Sequence, residues 1–140
     1  MKKRITILTV VLLFIMLLSI LSACVPKDRE AAIKKLSEKG YKEVTIGQLY
    51  GNAIVYYSGN NYDTRISGIY EAEGDGEYIV VIWFKETKYA KSFILSADEK
   101  ETYYDEIRNK LQTYSSDIVM PTRSGKIIYF GTQKGVEDFK

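Results

Sequence analysis

Glu77-Tyr78-Ile79-Val80-Val81-Ile82-Trp83-Phe84 is the stretch on which the fold turns. An unbroken apolar run of this length, rich in β-branched and aromatic side chains, reads as a central strand covered on both faces. Gly74-Asp75-Gly76 stands immediately before it and is the clearest hairpin signal in the chain. The strand therefore has an antiparallel partner upstream, from Thr64 to Ala72. There Ile66 and Tyr70 fall on one face and Arg65, Ser67 and Glu71 mostly on the other, with Ile69 breaking the alternation.

Further upstream, Glu43 to Tyr50 and Ala53 to Ser58 read as strands separated by a Gly51-Asn52 turn, with Gly59-Asn60-Asn61 as a second turn. Downstream of Phe84 the period changes. Thr87 to Leu95 fits a short helix with Tyr89, Ala90 and Phe93 inward. Ser96 and Glu99 stand three apart, as in a capping box, and Tyr104, Ile107, Leu111 and Tyr114 then mark one helix face. Asp117 to Met120 is a short strand candidate, Pro121 to Gly125 a turn, and Lys126 to Phe130 the last strand. Gly131-Thr132 opens a final helical turn through Phe139. Near the start, Asp28 is a plausible N-cap for a helix with Ala32, Ile33 and Leu36 on its apolar face and Gly40 as its stop signal. Strands first and helices later imply a segregated α+β domain. The expectation is one domain over 28–140, a mostly antiparallel sheet of five or six strands, and helices packed mainly on one face.

The first residues have a different character. Met1-Lys2-Lys3-Arg4 is basic, and Ile5 to Leu21 runs seventeen residues without a charge. A basic start, an apolar stretch and a junction of small residues is the layout of an export signal. Seventeen residues make only about 25 Å of helix, slightly short of a bilayer core of roughly 30 Å, which weakens the alternative of an uncleaved anchor. Leu21-Ser22-Ala23-Cys24 resembles the lipobox of bacterial lipoproteins. The resemblance implies a signal peptide over 1–23, cleavage between Ala23 and Cys24, and a diacylglyceryl thioether on Cys24. It also implies a lipid-anchored position on the extracytoplasmic face of a bacterial cell membrane, with residues 24–27 as a very short tether. Two acyl chains hold a protein stably where one does so only marginally. The resemblance covers the signal and does not extend to the domain.

Removing 23 of the 140 residues leaves 117, enough for one domain with a real core. Cys24 is the sole cysteine, so packing alone must stabilise that domain. Lys2, Lys3 and Arg4 leave with the signal, so 17 basic residues face 18 acidic ones, near −1. No basic stripe points to nucleic acid. With no histidine, the commonest metal ligand and neutral-pH acid/base is missing, and neither a nucleophilic triad nor a zinc site can be composed. No cofactor is implied. Glu71, Glu73, Asp75 and Glu77 are the one metal-like feature, but they lack EF-hand spacing and read as a solvated hairpin tip. Glu86, Asp98, Glu99, Glu101, Asp105 and Glu106 fall on predicted helix surfaces and caps.

Twelve tyrosines against five phenylalanines suit half-buried strand faces. Tyr56, Tyr57, Tyr62, Tyr70, Tyr78 and Trp83 lie on adjacent predicted strands. They either pack beneath the helices or form an exposed contact surface for a protein, peptide or glycan. The functional expectation is a non-enzymatic binding or accessory domain meeting an envelope protein or a cell-wall or extracellular ligand. A carboxylate hydrolase of an envelope polymer and a small-ligand carrier are the alternatives.

Overall fold

A computed structural model describes residues 25–44, 65–95 and 100–140. Its elements are α1 (Arg29–Ser37), β1 (Lys42–Glu43), β2 (Ile66–Gly74), β3 (Glu77–Phe84), α2 (Thr87–Leu95), α3 (Lys100–Gln112), β4 (Ile118–Ser124), β5 (Ile127–Thr132) and α4 (Gln133–Phe139). The five strands form one antiparallel sheet in the order β1-β2-β3-β5-β4, and the fold is α+β. The expected strands over Glu43–Tyr50 and Ala53–Ser58 and the Ser96–Glu99 capping box lie largely or wholly outside the described residues.

β3 is the centre, as its composition requires. Asp75 (φ 51°) and Gly76 (φ 79°) turn β2 into β3 and set Gly74 opposite Glu77. A two-residue turn with both φ angles positive matches the twist of the strands it joins. Side chains alternate across β3. Tyr78, Val80, Ile82 and Phe84 enter one cluster with Ile128 and Phe130 of β5. Ile79, Val81 and Trp83 enter a second cluster with Tyr70 and Ala72 of β2 and Ile127 and Tyr129 of β5.

The helices divide between these clusters, which departs from the expectation of a mainly one-sided cover. Ala90 and Phe93 of α2 and Tyr103, Ile107 and Leu111 of α3 close the first face. Ala32 and Leu36 of α1 and Val136 and Phe139 of α4 close the second. Both faces of β3 are apolar, so cover on one side alone would leave half its side chains in water.

Three local readings also change. Ile69 breaks the alternation of β2 because the register shifts between Ile66 and Gly68, which returns Ile66 and Ile69 to the same face. On α3 the fully buried tyrosine is Tyr103, in step with Ile107 and Leu111, while Tyr104 is half-buried. The expected turn over Pro121–Gly125 is mostly strand: β4 continues through Pro121 to Ser124. β4 is an edge strand with a register shift between Val119 and Thr122, a setting in which a residue lacking an N–H is tolerated.

Candidate functional site

The residues next to the expected lipid attachment point are built into the domain. Pro26 is buried, and its carbonyl accepts the indole N–H of Trp83 at 3.2 Å. Val25 is half-buried against the cluster that contains Trp83. Asp28 then caps α1 as expected, its side chain accepting from the Ala31 N–H at 2.9 Å. Arg29 fixes the same helix to the sheet: its Nε donates to the Ile69 carbonyl at 2.8 Å, and its guanidinium pairs with Glu43 and lies over the Tyr70 ring. Of the tether over 24–27, Val25 and Pro26 are thus folded onto the domain and Lys27 is exposed. Ala23 and Cys24 lie outside the described residues, as do Tyr56, Tyr57 and Tyr62.

Tyr70, Tyr78 and Trp83 do not form an exposed surface. They are 1%, 3% and 2% exposed, and all three belong to the core. Tyr70 and Trp83 pack under α1 and α4, while Tyr78 packs on the opposite face, its ring centroid 4.8 Å from that of Tyr114 and tilted 35° to it. Lys110 reaches over both of those rings, and the Tyr114 hydroxyl donates to Glu73 at 2.9 Å. Burial, then the Glu73 hydrogen bond, push the Tyr114 hydroxyl up to about 12.

A second polar group sits at the opposite end of α1, where residues distant in sequence meet. Asp138 is buried, and its carboxylate accepts from Lys39 at 2.8 Å, Lys134 at 2.7 Å and the Tyr41 hydroxyl at 3.0 Å. Burial alone pushes this acid up, but the hydrogen bonds from Lys134, Lys39 and Tyr41 outweigh it and hold the carboxyl at about 2. The Tyr41 hydroxyl is raised well above the ordinary tyrosine value, first by burial and then by its bond to Asp138. An ionised acid with three donors fits a tie between α1 and α4 better than a proton carrier, which needs a pKa near the working pH. Gly40 (φ 89°) makes the tie reachable. It reverses the chain after α1 with Gly40 N–H bonded to Ser37 O and Tyr41 N–H bonded to Leu36 O, which delivers Tyr41 to Asp138. Neither the Trp83–Pro26 bond nor the Asp138 group has a short-range signal; their partners are 57, 97 and 99 residues apart, apart from Lys134.

The remaining candidate acids are dispersed. Glu86 pairs with Lys88 and Asp105 with Arg108, each within its own segment. Glu101 is exposed, and Asp98 and Glu99 lie outside the described residues. On the β2–β3 hairpin Glu71 is buried, Glu73 and Asp75 are exposed and Glu77 is half-buried, so they do not form a uniformly solvated tip. Among the described residues no group of three His, Cys, Asp or Glu side chains is placed to hold a metal ion, and no helix is long and apolar enough to cross a membrane. No family model, curated protein or solved structure matches the chain.

Proposed function

We propose that the chain is a lipoprotein held by lipid on Cys24 at the extracytoplasmic face of a bacterial cell membrane. Its domain serves as a non-enzymatic binding or accessory module for an envelope protein or a cell-wall or extracellular ligand. The observation that carries the reading is Leu21-Ser22-Ala23-Cys24, at the end of a charge-free stretch and directly before the folded domain. The dispersal of Glu86 and Asp105 onto separate salt bridges supports a binding role over carboxylate hydrolysis, which needs two acids facing one another across roughly 5–10 Å.

Metabolic labelling with an alkynyl fatty acid tests the anchor. The wild-type chain should take up the label and fractionate with membranes, and Cys24→Ser should abolish the label and stall processing. An unlabelled wild-type chain, with Cys24→Ser maturing normally, would overturn the reading.

A further inference from the structure

We infer that the end of the sheet beside Pro26 is a membrane-docking surface, and that it lies against anionic phospholipid headgroups with the β2–β3 hairpin pointing away from the bilayer. The inference rests on the proposed lipid anchor at Cys24 and adds an orientation and a lipid chemistry to it.

Three observations place the same elements at one end. Trp83, which binds the Pro26 carbonyl, is opposite Ile127 on one side and Gly68 on the other. The Lys85 N–H bonds to the Arg65 carbonyl, and the Phe84 N–H to the Lys126 carbonyl. Arg65 and Lys88 both lie over the Tyr89 ring, at 5.8 and 4.9 Å. The start of α1, the start of β2, the end of β3, the first turn of α2 and the β4–β5 turn therefore form one rim. It carries Lys27, Arg65, Lys85, Lys88, Arg123 and Lys126, all exposed except the half-buried Arg65. Among the described residues its acids are Asp28, whose carboxylate caps α1, Glu30, and Glu86, which is paired with Lys88. Six cations against three acids leave an excess of positive charge on a domain whose total is near −1.

The excess is balanced at the far end. Glu73, Asp75 and Glu77 surround the β2–β3 hairpin and Asp117 precedes β4; the cations there are Lys42, opposite Glu73, Lys110, over the Tyr78 and Tyr114 rings, and Lys39 and Lys134, which are engaged by Asp138. The eight residues of β3 separate the ends by roughly 24 Å. That exceeds two Debye lengths of about 8 Å at physiological salt, so lipid charge attracts the near rim without appreciably repelling the hairpin. The Trp83–Pro26 bond supplies what a flexible linker would not. Because Pro26 is fixed, a lipid two residues away must enter the bilayer close to this rim. Basic residues beside an acyl anchor provide the second attachment signal that strengthens lipid anchoring.

The test uses the full chain, processed in cells and recovered in its lipidated form. Cys24 is consumed by the thioether, so a single new cysteine can carry a fluorophore at Thr87 on the basic rim or at Ser116 at the far end, both exposed. Each labelled protein is placed in vesicles of phosphatidylcholine alone or mixed with phosphatidylglycerol, with a paramagnetic headgroup lipid as quencher. The Thr87 label should be quenched strongly on anionic vesicles and the Ser116 label weakly. The difference should shrink on neutral vesicles and near 1 M salt, where the Debye length falls to about 3 Å. Reversing Lys85, Arg123 and Lys126 to Glu should lower the ratio of docked to undocked protein about a hundredfold or more, at about 1 kcal/mol per cation, with the folded state retained and the thermal midpoint lowered only modestly, since Arg123 also gives up its hydrogen bond to the Gly125 carbonyl. Equal quenching of the two labels in fatty-acid-labelled protein, or quenching indifferent to lipid charge, overturns the docking surface and leaves the anchor standing. Absence of fatty-acid label overturns both.

Discussion

The two faces of the sheet are closed by different means. The face under α2 and α3 is covered by chain that follows β3 directly, and its packing is aromatic: Phe93 lies 5.7 Å from Phe84 and 6.2 Å from Tyr103. The face under α1 and α4 is covered by two short helices far apart in sequence, each contributing two fully buried apolar side chains. Helices of nine and seven residues are marginal by themselves. Among the described residues that face also carries several long-range polar ties, Trp83 to Pro26, Arg29 to Ile69 and Glu43, and Asp138 to Lys39 and Tyr41, while the other face has the Tyr114–Glu73 bond. The contrast teaches that loop closure over long separations must be offset by fixed contacts. On this protein those contacts hold both ends of α1: Trp83–Pro26 and the Arg29 bonds at its start, and the Asp138 group at its end.

The sharpest way to break the comparison is to truncate Phe139. Its ring is fully buried, 5.7 Å from Tyr129, one residue from the end of the sequence. Phe139→Ala should cost about 3–5 kcal/mol, read as a lower urea midpoint at unchanged slope. A cost below about 1 kcal/mol would mean that α4 lies outside the cooperative unit and that the second face is closed by α1 alone.

A smaller effect is expected from Trp83→Phe, which keeps an aromatic ring but removes the donor to Pro26. The lost hydrogen bond and the lost ring volume together should cost about 2 kcal/mol. Its more informative readout is local. The Ala32 N–H bonds to the Asp28 carbonyl at the start of α1, and its hydrogen exchange should quicken more than that of amides in α3. Uniform quickening would show that the indole contributes only general packing and that residues 25–28 are held by other contacts.

How much of this was readable in the sequence follows from contact range. The Asp75-Gly76 turn, the Asp28 cap and the Gly40 stop depend on neighbours within a few residues, so residue type reveals them. The apolar run of β3 announced a strand covered on both sides. Which helices would cover which side was not readable, because α1 and α4 reach the sheet across most of the chain. The tyrosines inherit that ambiguity. Tyr70, Tyr78 and Trp83 are compatible with either an exposed face or a core until both pairs of helices are placed. Asp138 was concealed for a similar reason: Lys134 is one turn away, but Lys39 and Tyr41 arrive from the other end. The basic rim eluded linear reading because its cations are contributed singly or in pairs by five segments.

Asp138→Asn probes the polar side of the contrast with the smallest expected effect. The ordinary aspartate value is 3.8, and the folded protein holds Asp138 at about 2. Its contribution is therefore complete above about pH 4 and is lost as pH falls through about 2, because the unfolded chain takes up the proton first. A shift of this size corresponds to at most about 2 kcal/mol. The Lys39 and Lys134 side chains are 46% and 62% exposed, however, and solvent screening reduces the contribution to about 1 kcal/mol. Asp138→Asn should therefore lower stability by about 1 kcal/mol near neutrality and flatten the acid limb between pH 4 and 2. The alkaline limb gives an internal control. Tyr114, raised from 10.0 to about 12, has a stabilising contribution that is whole below pH 10 and lost as pH climbs through about 12. Its partners are Glu73 and Glu71, so the substitution should leave it in place. Tyr41 loses its carboxylate partner and should ionise at lower pH, read as tyrosinate absorbance. An acid limb of undiminished steepness in Asp138→Asn would assign acid unfolding to carboxylates elsewhere, and α1 and α4 would then be joined through their apolar contacts alone.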